Sequence, residues 1–113
     1  MNITRQESDG ILTLGFNGRL DASTSPNADT ELAKSLEKNS CKLLLDMRGL
    51  EYISSAGLRI LLVAAKKAQQ KHGQIAICGL KDTVKDVFDL SGFSSIFKIF
   101  ANPEEGAVFL KSN

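Results

Sequence analysis

Residues 42–73 read KLLLDMRGLEYISSAGLRILLVAAKKAQQKHG. The first six, Lys42 to Met47, form a short apolar run that stops at a carboxylate, which is the pattern of a central strand with apolar neighbours on both faces. From Ser55 the period changes. Leu58, Leu61, Leu62 and Ala65 recur at helical spacing, and Lys66, Lys67, Gln69, Gln70 and Lys71 make a wet end before the stop at His72-Gly73. Residues 48–54 read as a loop between the two. A buried strand that feeds a long helix is the opening of a βαβ unit, so the rest of the chain is read for strands alternating with helices.

Upstream, Thr4–Glu7 and Ile11–Phe16 flank Ser8-Asp9-Gly10, and the Asp-Gly step is a hairpin signal. Gly18 to Asp21 closes the second strand. Ser25 fits an N-cap and Pro26 a first helical position, opening a helix with Ala28, Leu32 and Leu36 on one stripe. Downstream, Gln74–Cys78 reads as a second buried strand. Asp82 is placed as the cap of a short helix with Val84, Val87, Phe88 and Leu90 inward. Ile96–Phe100 is a last strand, and Pro103 begins a final helix with Ala107, Val108 and Leu110 inside. The order β-β-α-β-α-β-α-β-α predicts an α/β fold: one domain over residues 1–113, with a mostly parallel, mixed sheet of about five strands and about four helices.

Composition narrows the function. Fourteen Lys and Arg against thirteen Asp and Glu give a formal charge of +1, so electrostatics offers no reason to expect nucleic acid or an anionic membrane as partner. No apolar run approaches a membrane span, and Met1 to Arg5 lacks the form of a secretory signal, so a cytoplasmic protein is expected. Cys41 and Cys78 are too few and too far apart for a disulfide framework or metal motif, and each is expected as a small hydrophobe in or beside a strand. No heptad pattern is visible, so a monomer is expected.

The common signatures of catalysis are missing. Gly79-Leu80-Lys81-Asp82-Thr83 lacks the earlier glycine of a phosphate-binding loop, and there is no G-x-G-x-x-G. Ile53 stands where a nucleophile elbow would carry its first glycine. The only histidine, His72, lies at the far end of the helix that Ser55 begins, so it cannot serve Ser55 as a base. No cofactor is expected.

One segment remains unusual: Leu50 to Arg59, after the C-terminal end of a buried strand and leading into the longest helix. In α/β sheets this edge is where ligands and partners meet the protein. It offers Ser54 and Ser55 beside the small Ala56 and Gly57, and a helix N-terminus tolerates a negative group. One serine is accounted for as an N-cap. Gly57 is not, because it costs about 1 kcal/mol relative to alanine inside a helix. Close approach by a partner is one reason for it to be small.

Here the chain resembles a known family. Gly18-Arg19-Leu20-Asp21-Ala22-Ser23-Thr24-Ser25-Pro26, Leu44-Leu45-Asp46-Met47-Arg48-Gly49-Leu50, Tyr52-Ile53-Ser54-Ser55-Ala56-Gly57-Leu58 and Val84 to Phe93 are similar, in order and near family spacing, to motifs of STAS domains, specifically the bacterial anti-sigma factor antagonists. The resemblance covers about residues 3 to 110. It implies a non-enzymatic switch that carries no cofactor of its own. The unphosphorylated form binds an anti-sigma factor that is itself a serine kinase, and so frees the sigma factor. Phosphorylation releases the antagonist, and a serine phosphatase restores it. By resemblance the phosphorylated residue is Ser55, and the partner surface is Asp21, Ala22, Ser23, Thr24, Ser54, Ala56, Gly57, Leu58 and Arg59. The family often carries aspartate where this chain has Ser54, which leaves Ser54 as the alternative phosphorylation site. Two other readings stand beside this one: a STAS binding module in another assembly (lipid transport, stressosome or transporter regulation), and a small enzyme.

Overall fold

The structure is a computed structural model, and it describes residues 1–112. Five strands form one sheet in the order β1-β2-β3-β4-β5: β1 (Asn2–Ser8), β2 (Ile11–Leu20), β3 (Lys42–Ile53), β4 (Gln74–Cys78) and β5 (Lys98–Phe100). β1 runs antiparallel to β2, and every other pair is parallel. The helices are α1 (Ser25–Ser35), α2 (Ser55–Gln70), α3 (Asp82–Ser91) and α4 (Pro103–Lys111), with a 3-10 turn at Phe93–Ser95. The predicted element order is the observed one.

Strand residues alternate between two faces. Leu14, Phe16, Leu43, Leu45, Met47 and Ile77 point into the larger core, closed by Ala28, Leu32 and Leu36, by Leu61, Ala64 and Ala68 of α2, and by Val84 and Phe88 of α3. The opposite face buries Ile11, Leu44, Ala76 and Cys78 under Leu110 of α4. This two-sided burial is why Lys42–Met47 reads as an unbroken apolar run.

Several expectations are corrected. Residues 48–53 are strand, not loop: β3 continues beside β2, with Gly18 opposite Leu50, Arg19 opposite Tyr52 and Leu20 opposite Ile53. Two register shifts place an extra β3 residue at each step, so its core side chains run Met47, Leu50, Ile53 at a spacing of three rather than two. Ser25 lies inside α1, where its hydroxyl donates to the Asp21 carbonyl at 2.6 Å, and Thr24 is the N-cap residue. Asp82 is likewise the first helical residue after Lys81 and makes no capping bond. Leu90 is 89% exposed and Val108 65% exposed, because each falls on the outer side of a short helix whose inner side is filled by Phe88 or Leu110. Ile96 is half in solvent, and β5 begins only at Lys98. Cys78 is fully buried and Cys41 partly so.

Candidate functional site

β2 and β3 end side by side, and their last pair is locked. Leu20 lies opposite Ile53, and the Ser54 N–H donates to the Leu20 carbonyl at 2.9 Å. The turn after β2 (21–24) and the start of α2 are therefore neighbours fixed to one frame.

The 21–24 turn is held by its own side chains. The Asp21 carboxylate accepts from the Ser23 hydroxyl at 2.7 Å, from the Ser23 N–H at 3.0 Å and from the Thr24 N–H at 3.3 Å. The Thr24 hydroxyl donates to the Arg19 carbonyl at 2.8 Å and accepts from the Asp21 N–H at 2.9 Å. The Ser23 hydroxyl, above all, keeps the Asp21 carboxyl below its ordinary range; partial desolvation opposes this, and the Ser23 and Thr24 donors assist it. Ala22 and Ser23 are left exposed at the tip.

Across from this turn, Ser54 takes the extended backbone of an N-cap, and its hydroxyl accepts from the Gly57 N–H at 3.3 Å. Ser55 is the first residue of α2, exposed, and its hydroxyl makes no hydrogen bond among the described residues. The two serines are thus distinct: Ser54 is spent on the helix and Ser55 is available. Ala56 is half-buried, Leu58 packs against the main core, and Arg59 is exposed one turn further on.

Gly57 is buried, and the reason for its size is internal. A Cβ there would sit 2.8 Å from Leu20 Cγ, 2.9 Å from Ile53 Cγ1 and 3.0 Å from the Leu20 carbonyl oxygen. The close neighbour that Gly57 admits is the end of β2 within the same protein. The partner approach invoked from sequence is replaced by this packing.

Sequence reading missed six residues that the fold brings to the same end: Arg19, Ser25, Pro26, Asp29, Tyr52 and Ile60. The Arg19 guanidinium lies 4.1 Å from the centre of the half-exposed Tyr52 ring, a cation–π contact across the β2–β3 ladder. Arg19 also reaches Asp21 at 3.9 Å. Pro26, Asp29 and Ile60 join Ala22, Ser25, Ala56 and Arg59 around a shallow cavity of about 340 Å³ between the first turns of α1 and α2. The only available signal was the extension of β3 to Ile53, and its irregular spacing hid it.

Among the described residues, no group of three or more His, Cys, Asp and Glu side chains is placed to hold a metal ion. Among the same residues, no helix is long and apolar enough to cross a membrane. The arrangement presents an exposed hydroxyl on a hydrogen-bonded, mixed polar and apolar surface.

Residues 2–106 match the STAS domain family. The chain belongs to the STAS domain family. This STAS chain is 37% identical to BtrV of Bordetella bronchiseptica, a candidate anti-sigma factor antagonist, over 99% of the chain and 97% of that protein. Its fold matches an anti-sigma factor antagonist from Mycobacterium paratuberculosis with a TM-score of 0.89 at 17% identity, covering 97% of this chain and 93% of that one. It also matches the Bacillus cell fate determinant SpoIIAA in its phosphorylated form, with a TM-score of 0.73 at 14% identity, over 96% and 99% of the two chains.

Proposed function

We propose that this chain is an anti-sigma factor antagonist whose unphosphorylated form docks on an anti-sigma factor serine kinase, and that phosphorylation of Ser55 switches the docking off. The observation that carries the reading is the division of labour between the two serines. The Ser54 hydroxyl caps α2, whereas the Ser55 hydroxyl is exposed, unbonded and placed on the first turn of the helix. Ser55 is therefore the residue a kinase reaches without undoing a cap, and Ser54 ceases to be the favoured alternative.

The relatives named as antagonists support the role, and the phosphorylated form of SpoIIAA supports a modification of this kind in this fold. The docking surface is Asp21, Ala22, Ser23 and Thr24 on one side and Ser54, Ser55, Ala56 and Arg59 on the other. Gly57 and Leu58 act beneath it by fixing the angle of α2. A phosphate at Ser55 adds ~1.5–2 negative charges, which the start of α2 accepts. The same charge must lose its water, and meet whatever acidic groups the partner offers, when the surface docks. The protein carries out no catalysis of its own; the kinase brings ATP, and a serine phosphatase resets the switch.

The test is incubation with the kinase and ATP, followed by mass spectrometry of the peptide spanning Tyr52 to Arg59. One phosphate on Ser55 is expected. A phosphate confined to Ser54, or none, would refute the assignment.

A further inference from the structure

Arg59 is the cation at this surface that no other group holds. It is exposed, it lies four residues beyond Ser55 on α2, and it has no ion-pair or hydrogen-bond partner among the described residues. Arg19, by contrast, is stacked on Tyr52 and shared with Asp21, and the Asp21 carboxylate is occupied by Ser23 and Thr24. Asp29 of α1 lines the same cavity as Arg59 without pairing to it.

Helical Cα–Cβ bonds tilt toward the helix N-terminus, so the Arg59 stem leans back over the turn that carries Ser55. An acid placed four residues before a base is the favoured orientation for a helical pair. A phosphoserine adds three acceptor oxygens, which a guanidinium meets with two parallel N–H donors.

We propose that a phosphate on Ser55 is taken up within the protein by Arg59. The modified form then engages that guanidinium along α2, so that it is no longer free to meet a partner. This inference rests on the reading of Ser55 as the modified residue. It gives the switch a second component: a negative charge appears at Ser55, and the one unengaged cation of the surface is removed with it. A partner that offers an acidic group to Arg59 in the unmodified form loses that contact as well. Since Arg59 is unpaired beforehand, no existing interaction has to break.

The experiment uses full-length chain with phosphoserine incorporated at position 55 during translation, so no kinase is involved. The second ionisation of the phosphate is followed by phosphorus NMR with Arg59 present and in the R59Q background. With Arg59 the midpoint is expected to lie lower by about 0.2–0.4 pH unit, the size of a helical i,i+4 charge pair. The difference is expected to shrink in ~1 M salt, where the screening length falls to about 3 Å. Equal midpoints in the two backgrounds at low salt would overturn the proposal. Failure of the kinase to modify Ser55 would count against the proposed function and leave this measurement untouched.

Discussion

Replacing Gly57 with alanine tests how the site is built, because two effects of opposite sign meet at one methyl group. Helix propensity favours Ala over Gly by about 1 kcal/mol, so a glycine kept small for a partner's sake would yield a more stable free protein when replaced. The structure predicts the reverse. The new Cβ would lie 2.8 Å from Leu20 Cγ, 2.9 Å from Ile53 Cγ1 and 3.0 Å from the Leu20 carbonyl oxygen, all well inside ordinary contact, so the neighbours must shift. Leu20 is fully buried and cannot swing aside, and its carbonyl is tied to the Ser54 N–H at 2.9 Å. Overpacking of this kind costs ~1–3 kcal/mol, so after the propensity gain a net loss of about 1 kcal/mol is expected. That corresponds to a fall in Tm of roughly 4–8 °C. Urea unfolding followed by circular dichroism measures it, with an unchanged m-value showing that the difference lies in stability. A Gly57→Ala protein as stable as the parent, or more so, would refute the packing argument and restore partner contact as the reason for the glycine.

Ser54→Ala removes the α2 cap and is expected to cost about 1 kcal/mol in the same unfolding assay, while Ser55→Ala leaves stability within about 0.5 kcal/mol. Leu90→Ser, at a position 89% exposed, is expected to change stability by less than about 0.5 kcal/mol, whereas Phe88→Ala, one helix face away and fully buried, is expected to cost ~3–5 kcal/mol. Burial pushes the Asp46 carboxyl up, but hydrogen bonds from the Arg48 guanidinium and backbone outweigh it and leave the group below the ordinary carboxylate range. A carboxyl depressed in the folded state stabilises above its unfolded value and loses that contribution as pH falls through its folded one. Stability is therefore expected to decline below about pH 4, and Asp46→Asn should make that decline shallower in acid titrations followed by circular dichroism.

Much of the fold was legible because each parallel strand buries both faces. Runs such as Lys42–Met47 and Gln74–Cys78 announce themselves, and the turn at Asp9-Gly10 marks the hairpin. The second half of β3 was not legible. Its core side chains Met47, Leu50 and Ile53 follow neither the strand period nor the helical one, since the extra β3 residues are set by pairing with β2 and not by local preference. Leu90 and Val108 misled for a related reason: an apolar residue on a short helix carries no label for its side, and the inner sides were already full. At the site, the serines and the 21–24 turn stood out as local sequence. The cavity residues Pro26, Asp29 and Ile60 come from separate helices and are joined only by the packing of α1 on α2. The resemblance to a family suggested a mechanism, and the structure adds what the sequence did not show, that the Ser54 hydroxyl caps α2 while Ser55 is exposed on its first turn.

The central claim is that docking at this surface is governed by charge at Ser55. It is tested most directly by calorimetric titration of Ser55→Ala and Ser55→Asp proteins against the anti-sigma factor partner, with circular dichroism of each variant alone. Mispairing a charge in a desolvated interface costs ~2–5 kcal/mol, roughly a thirty- to several-thousand-fold change in Kd. The account predicts that Ser55→Ala binds as the unmodified protein does, and that Ser55→Asp binds more weakly by a factor in or near the lower part of that range with its helix content unchanged. Equal affinities for the two variants, or an unfolded Ser55→Asp protein, would contradict it.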